Sequence, residues 1–284
     1  MTRSNHLIVA IILTMTLMLA GNAFAEKKPT VRIAYVEWSC ATASSNVAKI
    51  IIEEKLGYPC ELLSVSAAAM YQALSIGDVD AITTAWLPVT HKDYMNKIKA
   101  KVEDLGPNLN GAKLGLVVPN YVTIDSIEQL NANAKKFSNK IIGIDPGAGI
   151  MGMAEQAMPA YHLKDMELLE GSGAMMTAML GNAIKKNEWI VVTGWAPHWK
   201  FGRWNLKILN DPKGIFGAEE TINTIVRKGL KKDMPDVYAF LDAFAWTTAE
   251  IGQIMVWNQD GMEPEASAKK WVEENPEMVS TWLK

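Results

Sequence analysis

The chain has 284 residues, with 28 Lys+Arg against 31 Asp+Glu and 49% hydrophobic residues. Its net charge of −3 argues against a nucleic acid or an anionic membrane as partner. It contains no H-E-x-x-H, C-x-x-C, G-x-S-x-G or P-loop pattern, so none of these motifs points to an enzyme.

The opening MTRSNHLIVAIILTMTLMLAGNAFA has one basic residue, Arg3, an apolar stretch from Leu7 to Ala20, and Ala23-Phe24-Ala25 before a charged segment. This is the layout of a cleaved signal peptide over residues 1–25, and the apolar stretch is shorter than the roughly 18–20 residues that span a bilayer. No cysteine stands at the expected new terminus to carry a lipid, so the mature chain is expected free in the periplasm. Losing Arg3 makes its net charge −4.

After the leader, VRIAYV (31–36) reads as a strand, and Ser45-Asn46 read as the cap of a helix ending at Gly57. A helix there would hold Cys40 and Cys60 about 20 Å apart, so no disulfide is expected. ELLSV, the helix AAAMYQALSI closed by Gly77, and the strand AITTAW follow. LGLVV (114–118), a capping box at Ser126, IIGID (141–145), MELLE (166–170), IVVTG (190–194), LKIL (206–209) and TINTIV (221–226) continue the alternation. Beyond Lys231 only helices are predicted. The pattern implies an α/β protein with mostly parallel sheets flanked by helices. The alternation breaks near 110, at GPNLNGAK, and near 220. The chain is therefore expected to form one lobe from 26–112 and 221–284 and a second from 113–220.

The unusual residues fall at one place in this scheme. Trp38 comes just after the first strand, Trp86 closes AITTAW, PGAGI (146–150) follows IIGID, and Trp195 follows IVVTG. All are predicted at carboxyl ends of strands, the edge where open α/β sheets bind ligands. Gly147, Gly149 and Gly152 also satisfy G-x-G-x-x-G, but the mid-chain position, the export signal and the stiffening Pro146 weigh against a dinucleotide site. What remains is a helix N-terminus whose free N–H groups favour an anion. Indole faces attract poorly hydrated cations, quaternary ammonium above all. Three tryptophans beside an anion-binding turn therefore describe a ligand cationic at one end and carboxylate at the other. The other seven tryptophans read as core or lobe-contact residues. An enzymatic alternative is a thiol–imidazole pair of Cys40 and His91, for which no third orienting residue is evident.

AYVEW, TTAWLPVTHKDY, LGPNLNGAKLGLVVP, GIDPGAGIM, VVTGWAPHWKF and INTIVRKGLKK together resemble the substrate-binding proteins of ABC importers for glycine betaine, the OpuAC type. The resemblance spans nearly the whole mature chain. It implies a two-lobed clamp of the type II-like periplasmic class, a monomer that delivers its ligand to an inner-membrane permease without a cofactor or metal. Trp38, Trp86 and Trp195 then correspond to a prism around the trimethylammonium group, Gly149 and Ile150 to amides that hold the carboxylate, and His91 to a further contact on it. Cys40 is not part of the family's pattern. A choline, carnitine or other quaternary-amine carrier is the alternative that shares the cage.

Overall fold

The computed structural model describes residues 28–284, so the signal peptide expected at 1–25 lies outside the described residues. The first half opens with β1 (Val31–Tyr35), α1 (Ser39–Glu54), β2 (Cys60–Ser64), α2 (Ala67–Ile76) and β3 (Ala81–Leu87). β2, β1 and β3 lie side by side and parallel, as crossovers through helices require. α2 ends as expected on Gly77, whose φ of 80° is the left-handed conformation glycine adopts without penalty.

α1 begins at Ser39, ahead of the predicted cap. Ser44, Ser45 and Asn46 are buried inside the helix: the Ser44 hydroxyl bonds Thr83 Oγ1 at 2.9 Å, and Asn46 Nδ2 donates to the Thr42 carbonyl at 2.9 Å. Side chains that favour caps in isolation are here buried within the helix, and Ser44 ties it to β3. The earlier start puts Trp38 at the N-cap. Cys40 and Cys60, at opposite ends of this unit, are both free and buried.

The expected break at GPNLNGAK is a continuous strand. After α3 (Lys92–Ile98), β4 runs from Val102 to Pro119. Its turn-like residues sit at register shifts between Asp104 and Pro107, Pro107 and Leu109, and Asn110 and Ala112. Gly106 and Gly111 take positive φ there, so these residues bend a strand rather than end it. β4 pairs antiparallel with β9 (Glu220–Arg227) up to Ala112, and from Lys113 it pairs with β7 (Val192–Ala196). One strand thus serves both sheets.

The second half has β5 (Lys140–Ile142), α4 (Gly149–Ala160), β6 (Glu167–Leu169), α5 (Gly173–Lys186), β7, α6 (Lys200–Arg203) and β8 (Leu206–Ile208). Its β6, β5 and β7 are parallel, and β8 adds antiparallel to the end of β4. Each half therefore has a parallel core as predicted, and antiparallel pairing enters where β4 and β9 join them. β7 lies two residues later than predicted, so Trp195 stands within the strand, opposite Leu114.

From Leu230 on the chain is helical, as expected: α7 (Leu230–Asp233), α8 (Pro235–Ala243), α9 (Thr248–Gln259), α10 (Pro264–Glu274) and α11 (Pro276–Trp282). α10 packs on α1, with Lys49 to Glu265 at 2.6 Å and Lys269 to Glu54 at 2.8 Å along its margin. Trp246, Trp271 and Trp282 fill the core beneath these helices. No described helix is long and apolar enough to cross a membrane.

Candidate functional site: a tryptophan-lined cavity

Pro88 cannot donate to the ladder, and β3 stops at Leu87. The chain then folds back on itself: His91 N donates to the Trp86 carbonyl at 2.9 Å, while Trp86 N donates to His91 Nδ1 at 3.1 Å. A backbone N–H can only donate, so Nδ1 is the unprotonated nitrogen and Nε2 carries the hydrogen. The Tyr71 hydroxyl, 3.0 Å away, shares the same acceptor. Burial pushes the imidazole pKa down to about 3. His91 is therefore a neutral ring, locked in orientation, with one N–H left to give.

Glu220, buried at the start of β9, holds the same turn from the other side. It accepts from Val89 N at 2.5 Å, Thr90 N at 2.9 Å and the Thr90 hydroxyl. A buried carboxylate is tolerated because three donors satisfy it.

Opposite this turn stands the N-terminus of α4. Gly147 has a φ of 88°, which turns the chain into the helix. Gly149 and Ile150 are its first two residues, and their N–H groups precede the first bond to the Ala148 cap. Gly149 is required for a different reason: a Cβ there would lie 2.3 Å from the Thr90 carbonyl oxygen of the other half. Tyr94 reinforces this approach, donating to the Gly147 carbonyl at 2.7 Å. Gly147 and Gly149 thus serve a turn and a close approach between halves, while a Cβ at Gly152 would meet nothing within 4 Å.

Trp38 projects from the start of α1, and its Nε1–H donates to Asp145 Oδ1 at 3.1 Å, across the cleft. Its ring lies 5.6 Å from that of His91. Trp195 comes from β7, with the His198 ring edge-on at 4.9 Å. All six residues singled out in the sequence, Trp38, Trp86, His91, Gly149, Ile150 and Trp195, line one cavity. Leu114, Ile144 and Thr90 complete its wall. Its lining thus brings the three indoles together with the first residues of α4 and with His91.

Comparison with known proteins identifies the group to which such a cavity belongs. Residues 29–274 match the family OpuAC, the substrate binding domain of ABC-type glycine betaine transport system. The chain belongs to this family. It is 49% identical over 144 residues to the glycine betaine/carnitine transport binding protein GbuC of Listeria monocytogenes serotype 1/2a (strain 10403S), a match that spans 50% of this chain and 48% of that relative. Lactococcal OpuAC, in a closed-liganded conformation with glycine betaine, superimposes with a TM-score of 0.86 at 43% identity, covering 90% of this chain and 100% of that one. An ABC-transporter choline binding protein in complex with choline gives 0.83 at 30% identity, covering 89% and 91%. The fold is accordingly the two-lobed binding-protein fold.

Several residues of this OpuAC-family site carried no local signal in the sequence. Asp145, Glu220, Tyr71 and His198 act through side chains brought in from distant positions, and each looks like an ordinary strand, loop or helix residue where it stands. The Cys40–His91 pair does not form a nucleophile. His91 Nδ1 is already engaged, and Cys40 faces Trp195 and Lys200, with burial pushing its thiol pKa up to about 11. No described group of His, Cys, Asp and Glu has the arrangement of a metal site.

Proposed function

We propose that the chain is exported, resides in the periplasm as a monomer, captures glycine betaine or a closely related betaine between its lobes, and delivers it to an ABC permease without catalysing a reaction. The observation that carries this reading is the lining of one cavity, which gathers three indoles, the N-terminus of α4 and His91. In this reading the three indoles take one end of the ligand, and the N–H groups of Gly149, Ile150 and His91 take the other. A trimethylammonium group matches the first and a carboxylate the second. Membership of the family and the bound glycine betaine named for its lactococcal relative support the same ligand class.

The clamp's lobes are proposed as residues 26–112 with 221–284 and residues 113–220. The switch of β4 from β9 to β7 between Ala112 and Lys113 supports this division. Trp38, Trp86 and His91 then belong to one lobe and Trp195, Gly149 and Ile150 to the other, so a ligand that touches both sets holds the clamp shut.

Choline is the competing ligand, since a relative at 30% identity is named for it. Calorimetric titration with glycine betaine and choline separates the readings. Replacing a carboxylate by a hydroxyl forfeits at least one charged hydrogen bond, about 1.5–3 kcal/mol, so choline should bind at least tenfold more weakly. His91→Ala should narrow that gap by removing one carboxylate contact and leaving the cage. Equal affinity for both ligands would replace the betaine reading with the choline one.

A further inference from the structure

Lys200, the first residue of α6, is wholly buried, and its Nζ makes no hydrogen bond among the described residues. Its place is specific. Nζ sits 4.5 Å from the centroid of the Trp195 ring and 5.4 Å from that of Phe201. Trp195 lines the ligand cavity and Lys200 does not, an arrangement that fits an amine set against this indole on the side away from the ligand. The absence of a side chain at Gly194 leaves room for it: a Cβ there would lie 3.3 Å from Lys200 Cε and 2.4 Å from Val117 Cγ2.

We propose that Lys200 tunes the cage from behind: an ammonium against the rear of Trp195 repels a cation held against its front, so capture of the ligand favours the neutral amine and releases a proton. This rests on the reading of the ligand as a cation. An indole polarised by one cation attracts a second less strongly, and two like charges across one buried ring repel each other directly.

The groups around Lys200 leave it to govern the response near neutrality. Burial, opposed by Cys40, brings its pKa down to about 7. Cys40, packed from α1, titrates only at about 11. Burial and the Lys200 charge push His198 well below its ordinary range, and His91 lies at about 3. Glu37, on the segment between β1 and α1, is exposed at the mouth of the neighbouring cleft, and Asp145 is hydrogen-bonded to Trp38. The sign follows from the equilibrium: a ligand that prefers neutral Lys200 binds better as pH rises through 7 and worse as it falls.

The test is calorimetric titration of the protein with glycine betaine between about pH 5.5 and 9, in pairs of buffers with different ionisation enthalpies. Affinity should rise roughly tenfold across the range, with proton release near pH 7. Lys200→Met, which preserves the packed stem and deletes an unpaired buried amine, should fold, bind with the high-pH affinity of the wild type, and lose both the pH dependence and the proton release. Tight binding with a flat pH profile and no proton release would overturn the role of Lys200, as would a Lys200→Met variant with the wild-type profile. A folded protein that binds no betaine at any pH would instead remove the ligand reading, and this inference with it.

Discussion

Trp38, Trp86 and Trp195 are 6%, 3% and 4% exposed, and Trp246, Trp271 and Trp282 are 7%, 0% and 2% exposed, so burial does not distinguish the two trios. What lies against their rings does. Trp271 and Trp282 stack at 5.8 Å and 14°, Trp246 meets Trp271 edge-on at 81°, and Phe244 meets Trp282 at 72°. Each ring there is covered by another, the condition of a packed core. Among the described residues, no two of Trp38, Trp86 and Trp195 form an aromatic pair; they converge on empty space. His91 lies beside Trp38, and His198 and Lys200 pack against Trp195, yet each of the three indoles still borders the cavity, a surface left for a ligand.

Exchanging the two trios for alanine should therefore damage different properties. Trp271→Ala opens a void in the core and should cost about 3–5 kcal/mol of stability, while the molecules that remain folded bind betaine normally. Urea denaturation and calorimetry on the same samples read both. Trp86→Ala should do the opposite, weakening binding by roughly 30-fold, about 2 kcal/mol for a desolvated cation–π contact, with a smaller change in stability. Trp86→Phe should lose less affinity. If Trp271→Ala also lost specific affinity, or Trp86→Ala kept it, the division between the trios would fail.

The cavity also depends on how closely the halves approach, which the core trio does not sense. A methyl group at Gly149 would lie 2.3 Å from the Thr90 carbonyl. Gly149→Ala should therefore hold the halves apart: small-angle scattering should show the wild type compacting on adding betaine and the variant keeping its ligand-free radius. Compaction equal to wild type would mean that this contact does not limit closure.

A smaller effect concerns acid. His91 is kept neutral by burial, with a pKa near 3, whereas the unfolded chain protonates its histidines near their ordinary value of about 6.5. The unfolded state thus binds more protons between those limits, and stability is lost as pH falls through them. His198, depressed in the same direction, adds to the loss. Each group contributes on the order of 1 kcal/mol per pH unit. Denaturation midpoints measured from pH 6.5 to 5, before most carboxylates titrate, should decline accordingly, and a constant midpoint would show that neither ring is held neutral.

The two kinds of tryptophan were separable in the sequence because position spoke where composition could not. Trp86 before a proline and Trp38 just past a β-branched run announce strand ends, and strand ends are where an open sheet exposes ligands. Other features were hidden by non-local packing. Ser45 and Asn46 read as a cap because their local preference is strong, yet both are buried within α1, which starts at Ser39 and is tied to β3 by the neighbouring Ser44. GPNLNGAK read as a break in the alternation, and how it is built was not legible: its residues sit at bulges of one strand that runs from β9 to β7. The charges that support the cavity were least legible. Asp145 meets Trp38 across 107 positions and Glu220 meets Thr90 across 130, distances over which no periodicity carries information.

The claim that positive charge, and not shape, fills the indole side of the cavity is tested most directly by calorimetric titration with 3,3-dimethylbutanoate. This compound replaces the nitrogen of glycine betaine by carbon and keeps its three methyl groups and its carboxylate. If the ring faces of Trp38, Trp86 and Trp195 bind a cation, the carbon analogue forfeits at least one desolvated cation–π contact of about 2 kcal/mol and should bind at least 30-fold more weakly. Affinity equal to that of glycine betaine would contradict the account and reduce the three tryptophans to an apolar pocket.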